Sequence, residues 1–126
     1  MFRQTAGAAL EKALEGTAAR GRAIAGNIAN AETPGYQPRR VAFEEALQAA
    51  VAHETGGQEA PTVHTIEDVA PRVRSDPMAG QWGVTVNLET EMTDLARNNI
   101  QHEALVRALT KSFRMLRSAI TGGSQG

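Results

Sequence analysis

The sequence has no cysteine. Disulfide staples and thiolate chemistry are therefore excluded, and the redox compartment leaves no trace in it. Aromatic residues are nearly as scarce: Phe2, Tyr36, Phe43, Trp82 and Phe113 are scattered over 126 residues. A thick aromatic core is excluded, so small and aliphatic side chains must supply the burial through helix contacts. No apolar run approaches the ~20 residues that span a bilayer, so no membrane span is expected. The net charge of −1 gives no basic footprint for nucleic acid or an acidic membrane. Met1-Phe2-Arg3-Gln4-Thr5-Ala6 lacks the apolar stretch of a cleavable secretory signal. The expectation is a cytoplasmic protein, or one exported by a route that needs no such signal. Catalytic sets are missing too. His53, His64 and His102 share no metal-ligand spacing. No nucleophile elbow or phosphate-cradling glycine loop is present. The reading is of a non-enzyme with no catalytic, cofactor-binding or metal residues and no cofactor.

What the chain has is helical periodicity. Leu88, Met92, Leu95, Asn99, His102, Val106, Leu109, Phe113, Leu116 and Ile120 alternate spacings of four and three. That is the seam of a coiled-coil-like helix. Asn87 is a fitting N-cap, and Gly122-Gly123 supplies a stop. Glu89, Glu91 and Asp94 near the start and Lys111, Arg114 and Arg117 near the end complement the macrodipole. A helix over 87–121 would be about 50 Å long.

The amino terminus carries a weaker copy in Gly7, Leu10, Leu14, Thr17, Gly21, Ile24, Ile28 and Ala31. Pro34 disfavours helix at Thr33, so this helix should end by residue 32. Gly16, Gly21 and Gly26 each cost roughly 1 kcal/mol relative to Ala inside a helix, so packing must hold it. Phe43, Leu47 and Val51 mark a short middle helix over 43–52. Arg39-Arg40 reads as a solvated basic pair. Residues 54–86 read as an irregular loop, with β-like runs at 63–66 and 84–86 that allow one hairpin.

The expected fold class is mainly α. Long N- and C-terminal helices pack antiparallel as a coiled-coil-like pair, joined by the short middle helix and an irregular, β-hairpin-like loop. The register expected puts Leu10 near Phe113, Gly7 near Leu116 and Gly21 near His102. Seam packing falls to Leu10, Leu14, Ile24, Ile28, Leu88, Leu95, Val106, Leu109, Phe113, Leu116 and Ile120. A second stripe (Ile100, Ala104, Ala108, Met115, Ala119) remains for neighbouring subunits. A two-helix hairpin alone has too small a core to offset its own ordering.

One segment is more specific. Ala25-Gly26-Asn27-Ile28-Ala29-Asn30-Ala31-Glu32-Thr33-Pro34-Gly35-Tyr36 resembles the amino-terminal signature of the bacterial flagellar axial proteins of rod and hook. Phe43-Glu44-Glu45-Ala46-Leu47, Val86-Asn87-Leu88-Glu89-Thr90-Glu91-Met92 and Phe113-Arg114-Met115-Leu116-Arg117-Ser118-Ala119-Ile120 resemble further segments of the small proximal rod members. The likeness covers both ends and little of residues 54–82. His102 stands where the family usually has tyrosine, Ala42 where an acidic residue is common, and Gln81-Trp82-Gly83 where an Asp-Gly-Asn turn is often found.

The resemblance implies a structural subunit of the basal-body rod, a single rod-protein domain over 1–126. It would polymerise through its terminal helices and transmit torque. Export by the flagellar type III apparatus, without a cleaved signal, would bring it to the rod in the periplasmic space. Its partners would be itself, neighbouring proximal rod proteins and the rod-base or export-gate adaptor. Asn27, Asn30, Thr33, Pro34, Gly35 and Tyr36 would form the signature turn, the carboxamides fixing it or bonding across a subunit contact. The alternatives are another small proximal rod protein, or a soluble helical adaptor or export chaperone.

Overall fold

A computed structural model describes residues 2–56, 65–75 and 86–122. Helix α1 spans Phe2–Ala29, strand β1 Arg39–Ala42, helix α2 Glu44–Glu54, strand β2 Arg72–Ser75 and helix α3 Leu88–Gly122, with a 3-10 turn at Ile66–Asp68. The mainly α architecture read from the periodicity is present, with α1 and α3 packed against each other. Asn87 caps α3 as expected, its Oδ1 accepting from the Thr90 amide at 3.3 Å.

The seam keeps its four-three period but sits in another phase. The buried or half-buried line on α3 is Glu91, Leu95, Asn98, His102, Leu105, Leu109 and Ser112. Of the expected seam, Ile24 is buried, and Leu10, Leu14, Ile28, Leu95 and Leu109 are half-buried. Leu88, Val106, Phe113, Leu116 and Ile120 stand exposed. The register along the helices is also displaced by about one turn. Gly21 lies against Asn98 rather than His102: a Cβ there would sit 3.3 Å from the Asn98 amide nitrogen. His102 Nδ1 instead meets Thr17 Oγ1 at 2.7 Å. Asn98 donates to the Thr17 carbonyl at 2.8 Å. Polar side chains occupy this seam because each finds a partner there, which removes the main cost of burying them.

The second departure is β1. The side chains of Arg39 and Arg40 are exposed, but their backbone opens a strand. β1 pairs antiparallel with β2, with Arg39 opposite Ser75 and Ala42 opposite Arg72. Ile66, placed in a β-like run by its sequence, begins the 3-10 turn. Residues 63–64 and 84–85 of the expected β runs lie outside the described residues. A small apolar cluster (Ala50, Ile66, Val69) is backed by Ala8, Leu47 and Val51, which fixes α2 and the 3-10 turn on the amino-terminal half of α1.

Phe43, just before α2, is buried, and its ring lies on the backbone of α1 at Gly16. The Arg20 guanidinium sits 4.9 Å from the ring centroid. It also pairs with Glu44 and donates to the Val41 carbonyl at 2.9 Å. These contacts hold the β1–α2 junction against the middle of α1.

Candidate functional site

The signature segment ends α1 and turns the chain back. The Asn30 amide still bonds the Gly26 carbonyl at 3.0 Å, and the Thr33 amide then bonds the Asn30 carbonyl at 3.0 Å. Asn30 Nδ2 also donates to the Gly26 carbonyl at 2.9 Å, and Thr33 Oγ1 donates to Asn30 Oδ1 at 3.2 Å. The Asn30 side chain thus adds a second donor to a carbonyl that its own amide already serves, which tightens the last turn of α1. Pro34 and Gly35 are exposed. Gly35 takes φ +76°, a left-handed conformation that a Cβ would disfavour. The turn delivers Tyr36 back over the helix it has just left.

Asn27 is the centre of the arrangement. It is fully buried, at 0% exposure. Its Oδ1 accepts from the Tyr36 hydroxyl at 2.9 Å and from the Arg39 amide at 2.8 Å. Its Nδ2 donates to the Arg39 carbonyl at 3.0 Å and to Glu91 Oε2 at 3.1 Å. All four hydrogen-bonding positions of a carboxamide are used. With Arg39 the side chain pairs as a neighbouring strand would, through both N–H and C=O. Asn27 and Arg20 together thus serve the Arg39 amide and carbonyl and the Val41 carbonyl on the edge of β1 that faces α1. Both signature asparagines bond within the chain.

Glu91 completes the knot from α3. It is 1% exposed and takes a salt bridge from Arg40 at 2.6 Å. Burial works to raise its pKa. The hydrogen bonds from Arg40 and Asn27, and the charge of Arg40, outweigh that and hold it below the ordinary carboxylate value. For Glu44, burial likewise raises; the backbone amides at Glu44 and Phe43 and the contact with Arg20 lower it overall.

Carboxylates with depressed folded-state pKa values stabilise the fold above the unfolded value of about 4.3, and that contribution is lost as pH falls through the folded value. Acidification from about pH 5 to pH 3 should therefore lower the melting temperature. Glu91→Gln should be less stable than wild type at pH 7, and the gap should narrow by pH 3. A gap between the two that stays constant from pH 7 to pH 3 would exclude Glu91 from this role.

Among the described residues no group of His, Asp and Glu is placed to hold a metal ion, and no helix is long and apolar enough to cross a membrane. What the geometry does is clamp: α1, its exit turn, β1 and α3 converge on one carboxamide. The signature residues Asn27, Asn30, Thr33 and Tyr36 are brought together, while the Pro34 and Gly35 side of the turn points outward. Glu91, Arg40, Arg20 and Asn98 were not singled out from the sequence as site residues. Glu91 read as a helix-dipole charge, and only its place on a four-three line with Asn98 and His102 hints at burial.

No protein-family model matches the chain. Its sequence is 30% identical over 118 residues to the flagellar basal body rod protein FlgB of Bacillus subtilis, covering 90% of this chain and 92% of that protein. The FlgB of Salmonella typhimurium is 28% identical over 127 residues, covering 90% and 91%. That of Escherichia coli is 27% identical over 126 residues, with the same coverage. Those matches run almost end to end and so include the Asn27 corner and both long helices: the chain belongs to the FlgB family of flagellar basal body rod proteins.

Proposed function

We propose that this chain is a structural subunit of the flagellar basal-body rod, polymerising through α1 and α3 and carrying torque through the contacts so formed. The observation that carries this reading is the exposed apolar surface of α3, which lies on two stripes. Met92, Ile100, Phe113, Met115, Leu116 and Ile120 are all exposed, Ile100 at 70% and Ile120 at 69%. Meanwhile Glu91, Asn98 and His102 share the seam against α1 with Leu95, Leu105 and Leu109. A helix that admits polar residues to its own seam and leaves so many large apolar residues outside is built for further partners. Burying each such side chain contributes roughly 1.5–3 kcal/mol, so a neighbour covering several of them gains a stable contact.

The Asn27 clamp suits the same role. It ties the exit turn to both helices, so load applied to one is shared by the other. The family relationship supports a place in the basal body with other rod proteins as neighbours. The finer reading adds the rod-base or export-gate adaptor, type III export without a cleaved signal, the periplasmic setting and a single domain over 1–126. The relatives are basal body rod proteins by name, which supports a structural, non-catalytic role.

Mass spectrometry of purified basal bodies tests the location, and the chain is expected there. The interface is tested by Phe113→Ser combined with Ile120→Asn. Both positions are exposed, so folding stability should change by less than about 1 kcal/mol, while rod incorporation and swimming are lost. If the chain is absent from basal bodies and sediments as a discrete, fully folded oligomer, the reading gives way to a soluble adaptor.

A further inference from the structure

The near-neutral charge of the whole chain conceals a division within α3. Residues 88–103 carry Glu89, Glu91, Asp94 and Glu103 against Arg97 alone. Residues 104–122 carry Arg107, Lys111, Arg114 and Arg117 and no acidic residue. All four of these cations are exposed, and none has an ion-pair partner among the described residues. None lies in the last turn of the helix, where a positive charge would answer the macrodipole. Their concentration at this end therefore has no account within the fold.

The same end is where large apolar side chains stand open. Phe113, Met115, Leu116 and Ile120 are exposed. At about 100° per residue they fill an arc of about 160°, from Phe113 round to Met115, with Ala119 inside it. The four cations fill the opposite side over about 120°. The distal half of α3 is thus amphipathic, apolar on one side and charged with a single sign on the other.

We propose that this end of α3 seats on an anionic lipid bilayer when no neighbouring subunit covers it. The apolar arc sinks among the acyl chains, and the cations reach the headgroups. Two features favour lipid over a second protein. The first is width. One partner helix fills a narrower stripe, whereas a helix lying half-sunk in an interface uses the whole arc. The second is charge. Each Lys or Arg near an anionic leaflet adds attraction, whereas two copies of this chain meeting through these ends would set like charges together. No helix among the described residues is long and apolar enough to cross a membrane, so the seat is in the plane of the interface. It goes beyond the rod reading and does not rest on it, since it belongs to the chain before neighbours cover that face.

Flotation of the full-length chain with lipid vesicles is the test. Vesicles of phosphatidylglycerol and phosphatidylcholine in equal parts should take up at least about tenfold more chain than phosphatidylcholine alone. Raising ionic strength from about 0.1 M to about 1 M should release most of it, as the Debye length shortens from about 10 Å to about 3 Å. Arg114→Glu with Arg117→Glu should cut uptake at least about tenfold. Met115→Gln with Leu116→Gln should cut it as far. Both variants should keep wild-type helicity by circular dichroism, because all four side chains are exposed. Equal uptake by the two kinds of vesicle overturns the proposal, and so does full uptake of either variant. Failure of the wild-type chain to float also overturns it, and self-association of that sample in sedimentation would then give the face to a second copy. Flotation bears on this seat alone, whereas the presence of the chain in purified basal bodies bears on the rod reading alone.

Discussion

Asn27→Ala is expected to lose about 4 kcal/mol of folding free energy, near the top of the range for a point change. The substitution removes the partner of the Tyr36 hydroxyl, of the Arg39 amide and carbonyl, and of one Glu91 oxygen. An unpartnered buried polar group costs roughly 1–3 kcal/mol, more when charged, and Glu91 retains only Arg40. Small domains hold about 5–15 kcal/mol in total, so the variant should be largely unfolded in mild urea. Asn30→Ala is the internal comparison. It deletes one carboxamide hydrogen bond at a half-exposed helix end and should cost about 1 kcal/mol. Urea unfolding followed by circular dichroism measures both. A loss at position 27 no larger than that at position 30 would mean the four-bond knot does not hold the corner.

Asn27→Asp sharpens the same prediction through its sign with pH. It keeps the shape but places a second carboxylate 3.1 Å from Glu91 Oε2 and removes both donors. Two carboxylates so close cannot both ionise cheaply, so one should hold its proton to higher pH. A raised folded-state pKa contributes stability that is lost as pH rises through it. The variant should therefore be more stable at pH 5 than at pH 8, while wild type, with Glu91 already ionised over that range, should change little.

The same geometry shows what sequence reasoning reaches and where it stops. The two long helices are legible because a four-three spacing over many turns has no competing explanation. The phase of the α3 seam is not. A reader of one sequence assigns the large apolar side chains to the partner helix. Here Leu88, Val106, Phe113, Leu116 and Ile120 are kept outside, and Glu91, Asn98 and His102 enter the seam beside Leu95, Leu105 and Leu109. What permits their burial is a set of partners 64, 81 and 85 residues away, and no local pattern reports such pairings. Strand β1 was hidden for a related reason. Arg39-Arg40 has little intrinsic preference for a strand, but Asn27 and Arg20 bond to one edge of that backbone and β2 to the other. The signature asparagines stood out by spacing alone. That Asn27 acts as a substitute strand follows only from the position of the returning chain.

Gly16→Val should be the second most damaging change, and Gly16→Ala should also destabilise, although alanine is the better helix former by roughly 1 kcal/mol. The reason is Phe43. A Cβ built on Gly16 falls within the Phe43 ring, against its Cγ, Cδ1 and Cε1 atoms. The ring cannot withdraw freely, because it is buried and Arg20 and Glu44 bracket it. Overpacking of this kind costs about 1–3 kcal/mol. Gly16→Ala should therefore lose roughly 1–2 kcal/mol net, and Gly16→Val about 3 kcal/mol or more once β-branching is added. Gly7 supplies the opposite sign on the same helix. A Cβ there meets nothing within 4 Å, so Gly7→Ala should stabilise by about 0.5–1 kcal/mol. A double-mutant cycle separates overlap from backbone effects. Phe43→Leu alone should destabilise by opening space beside α1. Combined with Gly16→Ala it should recover at least about 1 kcal/mol relative to the sum of the single changes, since contacting residues couple by about 0.5–3 kcal/mol. Strict additivity, or a stabilising Gly16→Ala, would show that the glycine is not there to admit the ring. The β1–α2 junction would then owe its position on α1 to Arg20 and Asn27 alone.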